Sequence, residues 1–281
     1  MAVAAARPEP VVTPVVGAGD PPEVGENRRV AHLVCGVTGL VPGLVVGVIL
    51  GLVAGPVAGV VAGVVVLVGV YVGVWRGATS YTLSVLGARV PRGAELPGLA
   101  NLVDGLCATF GVPMPEILVV DDPVANALAV GRDPGSAVLV VTTGLLGRFG
   151  LIETEGVVAH ELAHIKAHDT VRAGVAVLAL APLTLVGRTD GLLHALVGRG
   201  REYRADQTAA AAVRYPPGLA DALSQMAAGD RPAPGSVFTG RRWVATRWLW
   251  IDPMAGATDR AADTTGQLDA TSVRLAALAE W

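Results

Sequence analysis

Val157-Val158-Ala159-His160-Glu161-Leu162-Ala163-His164-Ile165-Lys166 is the stretch from which the rest of this chain is read. Residues four apart on a helix share a face, so His160 and His164 can converge on one zinc ion. Glu161 follows the first histidine, where it reaches water activated by the metal rather than the metal itself. With 5 His in 281 residues, His-Glu-x-x-His is expected by chance on the order of 0.003 times. Gly156 to Lys166 contains no proline, and Val157, Val158, Leu162 and Ile165 give the helix an apolar side. The competing reading is a buried helix with two satisfied core histidines, against which the rarity of the motif weighs.

Upstream, the composition turns toward the membrane. Hydrophobic residues make up 52% and charged residues 16%, with a mean hydropathy of +0.54, outside ordinary globular usage. Val30 to Trp75 holds no Asp, Glu, Lys or Arg. A crossing takes about 20 apolar residues, so this stretch predicts two spans, near 31–51 and 57–75, with the turn marked by Pro56 and its neighbours Gly51, Gly55 and Gly59. Glycine recurs at 39, 43, 47, 51, 55, 59 and 63, a spacing that lets two helix backbones approach closely. Packing within the hairpin is one use of that stripe, and self-association is the other. Arg28 and Arg29 precede the first span, and Arg76, Arg89 and Arg92 follow the second. The positive-inside rule then places the N-terminus and everything after Arg76 in the cytoplasm of a multi-pass plasma-membrane protein. Residues 1–29 read as a disordered tail, 30–76 as the two spans and 77–281 as a cytoplasmic domain. A net charge of −3 gives no reason to expect nucleic acid. Cys35 and Cys107 do not make a disulfide framework and read as small core residues.

The soluble part opens with a helix from Leu96 to Phe110, ended by Gly111 and Pro113. Strand-like runs follow at Ile117–Val120, Val124–Val130 and Ala137–Thr142, then a short helix near Gly144–Arg148 and the histidine helix near Glu153–His168. An exposed strand edge in such a sheet can hold an extended peptide by main-chain hydrogen bonds.

Two histidines leave a catalytic zinc site one protein ligand short. His168 lies about 12 Å along the helix from His160, too far to share an ion with it, so it reads as a surface or supporting residue. Glu202 and Asp206 sit four apart on a later helical stretch. Glu202 can ligate while Asp206 accepts a hydrogen bond from a ligand histidine. Taken alone, these acids with Arg201 and Arg204 also read as a solvated helix face.

The motifs in this order resemble the HtpX-like membrane zinc metallopeptidases, the family that includes the CAAX prenyl endopeptidases. The resemblance spans about 95–215. It rests on Gly111-Val112-Pro113-Met114-Pro115, Asn126-Ala127-Leu128-Ala129-Val130-Gly131, Thr142-Thr143-Gly144-Leu145-Leu146, His160 to Asp169, and Glu202-Tyr203-Arg204-Ala205-Asp206. It implies an α+β fold: an N-terminal transmembrane helical hairpin, then a mostly helical gluzincin-type zinc peptidase domain with a small β-sheet. It also implies one zinc ion held by His160, His164 and Glu202, with Glu161 as the catalytic base, Asp206 supporting the site and Asn126 on the substrate-side strand. Protein substrates near the bilayer and a role in membrane-protein quality control come with it. A single-substrate processing peptidase and a non-catalytic zinc-binding scaffold are the alternatives. Leu128 stands where the family usually has Phe. Arg274 lacks the His-Pro that often precedes the family's C-terminal Arg, and Arg241 to Trp250 has no counterpart.

The apolar run Val171–Val186 contains Pro182 and is short of a full span. His164 precedes it and Glu202 follows it, so a shared ion requires an even number of crossings between them. The run 171–197 is therefore expected to fold as a helical hairpin on the cytoplasmic side. Single cysteines at Thr189, Gln207 and the C-terminus, in a background lacking Cys35 and Cys107, should resist an impermeant thiol reagent in intact cells. They should react once the inner membrane is opened, and labelling of Thr189 from outside would show a crossing.

Overall fold

The computed structural model describes residues 21–95, 97–183, 190–229, 232–253 and 270–281. Residues 1–20 of the expected tail, and 184–189 of the expected hairpin, lie outside the described residues.

Helices α1 (Glu23–Ala54) and α2 (Pro56–Leu86) form an antiparallel pair. Both begin or end beyond the expected spans. Glu23 and Glu26 place negative charge in the first turn of α1, where the helix dipole favours it. The helices are about 48 and 46 Å long at 1.5 Å per residue, against a hydrocarbon thickness of about 30 Å. Each therefore leaves the apolar layer as a continuous helix, and a boundary at residue 76 falls inside α2. From Leu33 to Val72 large apolar side chains face outward, Leu52 and Val53 being more than three-quarters exposed. An outward apolar belt on two helices of this length marks a membrane protein.

The turn between them is Gly55, at φ 96°, followed by Pro56 at the first position of α2. Only glycine takes that backbone without strain. The glycine stripe is consumed within the hairpin. A Cβ added at Gly43 would lie 2.8 Å from the Gly63 carbonyl oxygen, and one at Gly63 would lie 2.9 Å from that of Gly43.

After α3 (Pro97–Phe110) comes a three-stranded sheet of β1 (Glu116–Val120), β2 (Ala127–Val130) and β3 (Val138–Thr142). The order is β1-β3-β2, with β1 parallel and β2 antiparallel to β3; Val119 and Ala127 both sit opposite Val141. Then follow α4 (Thr143–Arg148), α5 (Leu151–Ala167), α6 (Asp169–Leu180), α7 (Asp190–Val197) and α8 (Arg201–Ala212). The chain ends with α9 (Pro217–Ala227), α10 (Gly240–Thr246) and α11 (Thr271–Leu278).

Side chains alternate across a strand, and here both faces are buried. Ile117, Val119, Ala127, Leu139 and Val141 pack toward α3, α5 and α9, against Phe110, Val158, Leu162 and Leu219. Leu118, Leu128, Val130, Val138 and Val140 pack toward α6 and the end of α2, against Ala173, Val177 and Leu86. The Trp-rich segment that sequence could not place belongs to this second layer: Trp243, Trp248 and Trp250 are buried with Phe238. Its tryptophans pack the core, while Arg241 and Arg242 are exposed. Cys35 and Cys107 are both buried and free.

Helix α6 rests on the hairpin through Val171 and Val175, which meet Ala31, Cys35, Val74 and Ala78. The α+β architecture with an N-terminal apolar hairpin is as expected from sequence. Gly43→Leu or Gly63→Leu should cost about 1–3 kcal/mol by overpacking, measured as a lower Tm in detergent. Gly69→Leu, where an added Cβ meets nothing within 4 Å, should leave Tm unchanged.

Candidate metal centre

His160 and His164 sit on α5 one turn apart, and Glu202 enters from the first turn of α8. The two helices approach closely because α8 turns Ala205, Ala209 and Ala210 toward the core shared with α5. The His160 Nε2 lies 3.0 Å from the His164 Nε2 and 3.1 Å from Glu202 Oε2, and the His164 Nε2 lies 3.5 Å from Glu202 Oε1. Ligand atoms about 2.0–2.1 Å from one tetrahedral zinc would stand about 3.3–3.4 Å apart. Two imidazole nitrogens facing each other at 3.0 Å also need a proton or a cation between them. The three residues therefore form a group able to hold one metal ion, and their donor set suits zinc.

Each member of the group is backed by a buried partner. His160 Nδ1 is 2.8 Å from Asp206 Oδ1, at hydrogen-bonding distance though out of line for a good bond. His164 Nδ1 is 2.8 Å from Asp169 Oδ2. Arg201 Nε donates to Glu202 Oε1 at 2.8 Å. Arg274, fully buried on α11, grips both oxygens of Asp206 at 2.6 and 2.8 Å and donates to the Ile251 carbonyl at 2.6 Å. Carboxylates behind ligand histidines fix tautomer and ring orientation.

These partners set the electrostatics. Burial raises the Glu202 pKa, but Arg201 and His164 outweigh it and hold the carboxyl well below its ordinary value. Asp206 is likewise penalised by burial and still kept low, by Arg274 above all. For His164 burial opposes the charge, while Asp169 and Glu202 raise its pKa. Glu161 is fully buried, and burial pushes its pKa up. Neither of its carboxylate oxygens has a hydrogen-bond partner among the described residues. A buried carboxyl left unmatched is costly, and it stands next to a histidine of the metal group.

His160, His164, Glu202 and Asp206, expected together from their spacing, lie together in the structure. His168 is not in the group: it ends α5 at φ 56°, the one non-glycine residue with positive φ among the described residues. That break lets Asp169 fold back on His164. On the unbroken helix expected through His168, a residue five beyond His164 would point away. Arg201 looked like a solvated charge and Arg274 like a displaced family residue; both are buried cations on this cage. Asn126 is fully buried. Its carboxamide donates to the Asp252 carbonyl at 3.0 Å and accepts from the Asp252 N–H at 3.2 Å. The Ile251 N–H donates to the Ala127 carbonyl. That part of the β2 edge is thus covered by the chain's own backbone rather than open.

The sequence profile of peptidase family M48 matches residues 95–255. A protease HtpX homolog of Dictyoglomus thermophilum is 37% identical over 183 residues, 53% of this chain and 60% of the relative. Protease HtpX homologs of Salinibacter ruber and Pyrococcus abyssi are 33% and 34% identical over 205 and 208 residues. These matches cover 64% and 62% of this chain, and 72% of each relative. The chain thus spans about three-fifths of the Dictyoglomus protein's length. No solved structure matches it.

Asp169→Ala should weaken metal affinity roughly ten- to a hundredfold, comparably to Asp206→Ala and less than loss of a ligand. Chelator competition on the purified protein measures both.

Proposed function

Because the chain belongs to peptidase family M48, we propose that it is a membrane-anchored zinc-dependent endopeptidase. Its proposed substrates are membrane or membrane-proximal proteins. The observation that carries this reading is Glu161: a fully buried carboxyl without a partner among the described residues, one position from His160. A purely structural zinc site needs the histidines but not that carboxyl, which counts against the scaffold alternative.

In this reading His160, His164 and Glu202 hold one zinc ion per chain. Zinc bound there supplies Lewis acidity, polarising a peptide carbonyl and making water easier to deprotonate. Glu161 takes the proton of the attacking water and passes it to the leaving amine. Burial raises its pKa, which makes the carboxylate a better acceptor for the proton of the attacking water. Asp206 and Asp169 keep the two imidazoles turned toward the ion, and Arg201 keeps the Glu202 carboxylate ionised and in place. Asn126 and the β2 edge serve an extended substrate once Ile251 and Asp252 give way.

The arginines flanking the hairpin favour a plasma-membrane protein with both its N-terminus and its catalytic part in the cytoplasm. Quality control of damaged membrane proteins is the broader role proposed for it, and processing of a single substrate is its alternative. Comparing the proteomes of cells carrying wild type or Glu161→Gln separates them: many stabilised membrane proteins support the first and one stabilised precursor the second.

Glu161→Gln should keep zinc and lose casein cleavage by about a hundredfold or more. His160→Ala, His164→Ala and Glu202→Ala should each lose the zinc itself. Metal analysis and turnover on the same purified samples decide it: appreciable activity in Glu161→Gln would remove the base, and normal zinc in Glu202→Ala would remove the third ligand.

A further inference from the structure

Membrane anchoring does not explain Asn27. It is a buried polar residue in the second turn of α1, just before the apolar run begins. Its Nδ2 donates to the carbonyl of Ala167 at 3.1 Å, 140 residues away. Ala167 is the last residue of α5, and the final carbonyls of a helix have no partner within it. The Asn27 Oδ1 accepts from Arg172 Nη1 at 3.2 Å. Arg172 also donates to the Leu196 and Ala195 carbonyls at the end of α7, and pairs with Glu26 at 3.7 Å.

Between Ala167 and Arg172 lies the corner that shapes the metal group. His168 takes the left-handed conformation there, and Asp169 then reaches His164 Nδ1 at 2.8 Å. A non-glycine residue persists in that conformation only where its surroundings hold it. Asn27 holds the residue before it and, through Arg172, the first turn of the helix after it. Below this contact, Ala31 and Cys35 of α1 and Val74 and Ala78 of α2 pack on Val171 and Val175 of α6. The same hairpin that is apolar enough to cross the bilayer thus clamps the two helices meeting behind His164.

We infer that Asn27 is a positioning residue for the metal group, holding from α1 the α5–α6 corner that aims Asp169 at His164. The membrane hairpin is then part of the catalytic unit and not only its anchor, and a catalytic domain cut free at residue 77 lacks one support of its own metal site. The inference rests on the proposed metal reading of His160, His164 and Glu202.

The test uses the full chain in lipid nanodiscs, with cobalt(II) as the probe ion because its visible spectrum reports ligand geometry. Asn27→Leu keeps the size and removes both hydrogen bonds; Asn27→Ser shortens the side chain without adding apolar bulk. Both should release cobalt to a chelator roughly tenfold faster than wild type, with shifted visible bands and a lower kcat on casein. Helix content should not change. Gly36→Ala, on the same helix with nothing within 4 Å of an added Cβ, should match wild type. Wild-type spectra and release rates in both Asn27 variants would overturn the proposal, as would a lower Tm with an unchanged cobalt spectrum. If Asn27→Leu loses helix content, Asn27→Ser decides by the same readouts. Failure of wild type itself to bind cobalt would instead overturn the metal reading, and that control involves no change at Asn27.

Discussion

Two imidazole nitrogens and a carboxylate, facing one another at 3.0 to 3.5 Å inside the protein, are the constraint on which the rest of the structure depends. The nitrogens cannot stay that close without a cation or proton between them, and the carboxylate cannot stay charged there without cations around it. Asp206, Asp169 and Arg201 each stand behind one member of the group, and Arg274 neutralises Asp206 in turn. Buried charges are tolerated when matched in this way and are costly when they are not. Glu161, beside the group and not part of it, is the buried carboxyl without a match among the described residues, and the proposed base role rests on that.

Holding such a cage requires rigid walls. The sheet provides one, buried on both faces between the α3–α5–α9 layer and the α6–tryptophan layer. With aromatics at only 4% of the chain, most of this packing is done by Val, Ala and Leu. The three buried tryptophans are concentrated behind β2 and β3, where α6 and the end of α2 converge. The membrane hairpin provides the other support, since α1 and α2 leave the apolar layer as helices and dock on α6 and the sheet. The apolar hairpin and the peptidase-family domain share a core instead of being joined by a linker.

Some of the contacts in the cage follow from local spacing and others do not. His160, His164, Glu202 and Asp206 were legible because each pair is four apart on its own helix, a spacing that fixes a common face whatever surrounds it. The two spans were legible because a run of 46 residues without Asp, Glu, Lys or Arg has few other uses. The strands were legible within a few residues from their Val and Leu content and their Asp-Pro and Gly punctuation.

Asp169, Arg201, Arg274 and Asn27 were not legible in that way. Asp169 depends on a helix break at His168, where no glycine marks the left-handed position. Arg201 and Arg274 read as surface charges until the fold buries them beside Glu202 and Asp206. Asn27 read as part of a tail until α1 began four residues before it. The sequence by itself determined the donor set of the candidate site, the apolar hairpin and the fold class, because these follow from local spacing and composition. The tertiary structure alone decided how the ligands are held and what covers the β2 edge. Several of those contacts join residues 68 to 140 positions apart along the chain, and no local periodicity records which buried charge will meet which.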